Sequence, residues 1–86
     1  DVGSWLAVGR IKKNDDNSNV INGNVVAVNT KGCVIEGGEK LIATVGLRDI
    51  VVVDTKDATL ITTKENAGEI KQVLAKLREE GKNEYL

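Results

Sequence analysis

Eighty-six residues, 41% of them apolar and 29% charged, make one small globular domain near the lower size limit for folding without staples. A formal charge of −1, from 12 basic and 13 acidic residues, leaves no electrostatic footprint for nucleic acid, and no apolar run is long enough to cross a bilayer. Histidine is absent and cysteine occurs once, which removes the commonest general base, the commonest zinc ligand and any internal disulfide, and argues against a self-contained hydrolase.

The chain begins Asp1-Val2-Gly3-Ser4-Trp5 and contains no methionine, so it reads as a trimmed chain or a piece of a longer one. Residues 4–13 suit a short helix with Ser4 as N-cap and Trp5, Val8 and Ile11 on one face, although Gly9 costs such a helix about 1 kcal/mol. The following Asn- and Asp-rich stretch, residues 14–24, reads as loop and tight turns. Phenylalanine is absent and Trp5 and Tyr85 are the only aromatics, so the core must be built from Val, Ile, Leu and Ala, a β-branched supply that favours strands.

Two such strands, "NVVAVNT" and "DIVVVDT", resemble each other: Val26, Val28, Asn29, Thr30 and Lys31 recur 25 residues later as Val51, Val53, Asp54, Thr55 and Lys56. This spacing predicts two stacked rungs of strand, turn and strand. Between them, "CVIEGGEKLIATVG" predicts an antiparallel hairpin turning at Gly37-Gly38. The four consecutive apolar residues Ile50–Val53 demand cover on both faces. A closing helix supplies one cover. Thr62 or Thr63 serves as its cap, Glu65 and Glu69 lie towards its positive end, and Gly81 stops it. Its apolar stripe of Ala67, Ile70, Val73, Leu74 and Leu77 packs on the sheet or, alternatively, forms a dimer seam. Lys71, Lys76, Arg78, Glu79 and Glu80 form its solvated face. The expected architecture is mainly β, a small β-helix-like domain with a C-terminal helix and a short N-terminal one.

Complete sites are not visible in these residues. Asp15, Asn17 and Asn19 alternate as in a calcium loop, but Val20 stands where the turn needs glycine and Val26 where a bidentate glutamate belongs. The glycines form neither a phosphate-cradling loop nor a dinucleotide fingerprint. Cys33 has no histidine to activate it and reads as a small buried hydrophobe, in keeping with a reducing cytoplasm. Asp54 and Asp57 are better explained as a strand end and a turn residue bonding nearby backbone than as a catalytic carboxylate pair.

Taken in order, "DVGSW", the polar loop, "TVGLRDIVVVDTKDATLI" and the Lys/Glu-rich helix resemble the C-terminal part of bacterial mannose-1-phosphate guanylyltransferases, or GDP-mannose pyrophosphorylases. The resemblance runs from Asp1 to about Gly81 and is strongest from Gly46 through Asp49, Val51, Val53, Asp54, Thr55, Asp57 and Ala58 to Leu60. It implies a parent enzyme that joins GTP to mannose 1-phosphate with Mg2+, releasing pyrophosphate, from an α/β catalytic domain followed by a small β-helix domain. Residues 1–13 would then be the end of the catalytic domain and a connector, and residues 14–86 the accessory domain. The resemblance assigns Asp1 as one of two metal-holding aspartates of the full-length enzyme, a role suited to carboxylate oxygens on a hard cation. The family's nucleotide loop, its other metal aspartate and its sugar contacts have no counterpart here, so this chain alone is not expected to be catalytic. The partners implied are the parent's own catalytic domain and further copies of the same chain. Two other readings fit the residues: a stand-alone interaction module, and the same domain of another sugar-1-phosphate nucleotidyltransferase.

Overall fold

The computed structural model describes residues 18–82 and residue 84. Asp1, the expected helix over residues 4–13, and Asp15 and Asn17 lie outside the described residues. The chain forms β1 (Val20–Asn22), β2 (Val25–Val28), β3 (Val34–Glu36), β4 (Ile42–Val45), β5 (Ile50–Asp54) and β6 (Thr59–Thr63). A 3-10 turn (Ala67–Glu69) then leads into α1 (Ile70–Glu79).

These strands make a coil rather than a meander. β1, β3 and β5 lie side by side in parallel, and β6 folds back antiparallel on β5. β2 and β4 form a second parallel pair. A third side is marked by the parallel bridge between Lys31 and Arg48. Register gives the rung: Val34 faces Val51, Val28 faces Val45 and Lys31 faces Arg48, all 17 residues apart. The first rung is shorter on one side, since Val20 faces Val34 only 14 residues on.

Two sequence expectations are corrected by this register. The 25-residue match is not the rung: Val26 and Val28 belong to the β2–β4 sheet, whereas Val51 and Val53 belong to the four-stranded one. Gly37-Gly38 is not a hairpin turn either, because β3 and β4 lie in different sheets and the chain between them rounds a corner. The physical reason is parallel stacking. Each strand finds its hydrogen-bonding partner one rung away, not across a local turn.

Left-handed backbone conformations mark the corners, also in register. Ser18, Gly32 and Asp49 have φ of 61°, 67° and 54°, and Asn29 and Gly46 have 49° and 70°. Only glycine, or short polar side chains that bond locally, takes this conformation cheaply. The composition of the corners is therefore set by backbone sterics.

The core has two layers. Cys33, Ile35 and Val52 fill the coil interior, with Val25, Ile42, Leu47 and Ile50 around them. On the outside of the large sheet, Val20, Val34, Val51, Val53 and Leu60 meet Ile70, with Leu74 and Leu77 packed alongside. The stretch Ile50–Val53 thus does need cover on both faces: Val52 points to the coil interior and Val51 and Val53 towards α1. The helix stripe packs on its own sheet, although Val73 is 40% exposed and does not belong to the buried face.

The helix starts later than its threonines suggest. Thr63 Oγ1 accepts the Asn66 N–H at 3.1 Å and caps the preceding turn, whereas α1 itself begins after Glu69 with no side-chain cap. Its end follows expectation. Gly81 has φ of 73°, the Lys82 N–H reaches the Leu77 carbonyl at 2.8 Å and the Gly81 N–H reaches that of Arg78 at 3.1 Å, a Schellman closure.

Candidate functional site

A concavity among the described residues lies at one corner of the coil, where the turn after β3 approaches the end of β5. Gly38, Glu39, Lys40, Asp54, Thr55 and Lys56 line an open groove of about 410 Å³. Asp54 ends β5 and is half-buried. Its Oδ1 accepts a 2.6 Å hydrogen bond from the Thr59 hydroxyl, and its Oδ2 lies 3.4 Å from the Lys40 ammonium. The Thr59 bond, with Lys40 second, holds the Asp54 carboxyl below its ordinary value, against an opposing push from burial.

Asp54 is therefore occupied structurally and does not form an acid–base pair with Asp57. The turn that Asp57 was expected to close is closed by Thr55. Its N–H and hydroxyl both donate to the Ala58 carbonyl, at 2.8 and 2.9 Å, and its hydroxyl oxygen accepts the Ala58 N–H at 3.2 Å. Lys40 and Thr59, which hold Asp54, were not singled out from the sequence. They lie 14 and five residues from it, and only the coil geometry joins all three.

Cys33 is completely buried. Its thiol donates to the Lys31 carbonyl at 3.5 Å, and its sulfur accepts the Ile50 N–H at 3.4 Å. It stands in the interior of the coil as the small hydrophobe expected. Asn19, the described member of the suspected calcium trio, is buried instead of facing an ion. Its Nδ2 donates to the Thr30 carbonyl and its Oδ1 accepts the Cys33 N–H, both at 2.8 Å. Among the described residues no group of three or more Asp, Glu, Cys or His side chains is placed to hold a metal.

A second feature is apolar. On the outer face of the β2–β4 sheet, Val26 sits beside Ala43 and Val28 beside Val45. Val26, Val28 and Val45 are 53%, 48% and 71% exposed, and Leu41 in the adjoining corner is 56% exposed. The alternation within "VVAV" was the available signal, since a coil strand buries one side chain in two. Edge strand β6 carries one exposed large apolar side chain, Ile61. No helix among the described residues is long and apolar enough to cross a membrane. Among the described residues the arrangement offers docking surfaces and a latched corner, and no assembled reaction centre.

Comparison with known proteins is consistent with this. The family model of the MannoseP isomerase/GMP-like beta-helix domain matches residues 23–77. The alginate biosynthesis protein AlgA of Pseudomonas putida is 42% identical over 98% of this chain, which spans 17% of that protein. A putative mannose-1-phosphate guanylyltransferase of Vibrio cholerae is 42% identical over 99% of the chain, which spans 18% of it. The crystal structure of mannose-1-phosphate geranyltransferase from Thermus thermophilus superposes with a TM-score of 0.72 at 34% identity, over 90% of this chain and 24% of that one. The chain thus spans under a fifth of the length of these curated relatives.

Proposed function

The chain belongs to the MannoseP isomerase/GMP-like beta-helix domain family, and from that premise we propose that it is the C-terminal accessory and assembly domain of a longer mannose-1-phosphate guanylyltransferase. One observation carries the reading: relatives bearing that name align over nearly all of this chain, while the chain makes up only 18% of them. In the longer enzyme a phosphate oxygen of mannose 1-phosphate attacks the α-phosphorus of GTP. The new phosphoanhydride forms as the bond to the β-phosphate breaks, and pyrophosphate leaves. Mg2+ is the proposed cofactor there, and Asp1 is the one residue of this chain assigned to it. Residues 1–13 are the proposed end of the catalytic domain with its connector, and residues 14–86 the accessory domain. The buried, unpaired Cys33 suits a cytoplasmic enzyme.

The coil's contribution is mechanical: it gives the catalytic domain a rigid surface and brings subunits together. Because the α1 stripe is used internally, association falls to the open end of the coil, where β6 is the edge strand among the described residues and Ile61 is 69% exposed.

The test is an assay of the longer protein and of the 86-residue chain, each with GTP, mannose 1-phosphate and Mg2+. The longer protein is expected to form GDP-mannose and the short chain none. Turnover by the short chain, or activity of the longer protein only with a different sugar phosphate, would refute the assignment.

A further inference from the structure

The apolar interior of the coil runs off its end. In register, Ile35 lies beside Val52 and Val52 beside Ile61, so the three side chains stand in one column on the inner face of the large sheet. Ile35 and Val52 are buried, whereas Ile61 is 69% exposed. The outer face of β6 is already served, because Leu60 packs in one cluster with Ile70 of α1.

We propose that a second copy of this chain continues the large sheet through β6, the two strands running antiparallel about a two-fold axis at Ile61. This names the contact for the assembly role above and rests on that reading. Backbone geometry is the first argument. The Thr55 N–H reaches the Ala58 carbonyl and the Lys64 N–H reaches the Asp49 carbonyl, both at 2.8 Å. Antiparallel bonding alternates between these two points, so Leu60 and Thr62 turn their N–H and C=O to β5, and Thr59, Ile61 and Thr63 turn theirs outward. With the axis at Ile61, the outward groups of one copy oppose those of the other. Ile61 exchanges both bonds with its own counterpart, and each Thr63 N–H meets a Thr59 carbonyl. The Thr63 carbonyl is already engaged, by the Asn66 N–H and the Thr62 hydroxyl.

Side chains agree. On the open face the pairing sets Ile61 against Ile61 and Thr59 against Thr63, all β-branched and uncharged. The two interior columns then become one. Edge strands that stay single are kept so by lysine, proline, a bulge or very short length. β1, at the other margin of the sheet, has three residues. β6 has five, none charged and none proline, in unbroken register with β5. Because both copies use the same strand, the contact closes at two copies.

Sedimentation of the 86-residue chain tests this. The chain is expected to pass from monomer to dimer as its concentration rises from micromolar to millimolar. Ile61→Lys sets like charges face to face across the axis and is expected to weaken association at least about tenfold. Its far-UV dichroism should be unchanged, because position 61 is exposed. Should that variant fail to fold, Ile61→Cys gives a second readout, since Cys33 is completely buried and does not compete for a thiol reagent. A short bis-maleimide is expected to join two chains through position 61, and not through Val45→Cys on the other sheet. A chain that stays monomeric throughout, or a dimer indifferent to Ile61→Lys, overturns the proposal. Linkage through position 45 in place of 61 does the same, for it puts the contact on the β2–β4 face. GDP-mannose formation by the longer protein is a separate measurement, so failure of the contact and failure of the functional assignment are told apart.

Discussion

Gly23 shows how much of this fold is decided by single backbone positions. It has φ of +94°, and a Cβ built there would stand 2.5 Å from the Gly37 carbonyl carbon of the next rung. Gly38, by contrast, has open space where its Cβ would be. Gly23→Ala should therefore cost about 1–3 kcal/mol in urea unfolding, while Gly38→Ala should change stability by less than about 0.5 kcal/mol. Equal effects would mean that the corners do not stack as described. Asp54 is a second decisive residue. A carboxyl held below its ordinary value adds stability that is complete above the unfolded pKa and disappears as pH falls through the folded one. The stability difference between the wild type and Asp54→Asn should accordingly be constant above about pH 5 and close as the pH falls below about 4. Thr59→Val should shrink that difference more than Lys40→Ala, because the Thr59 bond is the larger cause and the Lys40 ammonium is largely solvated. Unfolding titrations at stepped pH decide it; a gap that persists unchanged into strong acid would remove Asp54 from the account. Nothing in the sequence separates Gly23 from Gly38, or links Lys40 to Asp54, because both distinctions arise only when one rung lies on the next.

At the scale of elements, the helix was more legible than the strands. Ile70, Leu74 and Leu77 follow helical spacing and face the valine sheet, and Gly81 closes the C-terminus as its position implies. Ile70→Ala, at 6% exposure, should cost about 2–4 kcal/mol in denaturant unfolding. Val73→Ala, on the same element but facing out, should fall within about 0.5 kcal/mol. Comparable losses at both positions would move the buried face round the helix. The strands were recognisable one by one, yet their order was not. "VNTKGCVI" over residues 28–35 and "VGLRDIVV" over residues 45–52 occupy equivalent positions one rung apart. They share few identities. Equivalent positions need only a side chain of similar burial or a backbone able to turn left-handed, so Asn29 matches Gly46 and Gly32 matches Asp49. The 25-residue match had better identities and no structural meaning, since it relates a strand of one sheet to a strand of the other. The glycine pair at 37–38 misled in the same way: a local turn signal is indistinguishable from a corner until the partner strand is known.

For the molecule as a whole, the number of rungs determines what keeps it folded. Among the described residues, only β1 with β2 and β3 with β4 complete a circuit, and β5 reverses into β6 instead of starting another. Stacked-repeat folds generally need three or more units, because each buries its apolar surface only on its neighbours. Here the missing burial is supplied from outside the coil by α1, which joins side chains from β1, β3, β5 and β6 into one cluster. The helix is thus a structural wall of the domain, although it follows the last strand and has no part in the ladder. A chain ending at Asn66 keeps strands β1 to β6 but removes α1 from Val20, Val34, Val51, Val53 and Leu60. It should lose the cooperative thermal transition of the full chain and bind a hydrophobic dye at room temperature. A sharp transition retained by the shortened chain would show that the coil supports itself. The interior layer around Cys33, Ile35 and Val52 would then be the main source of its stability, and the large sheet's outer face would become a surface free to bind.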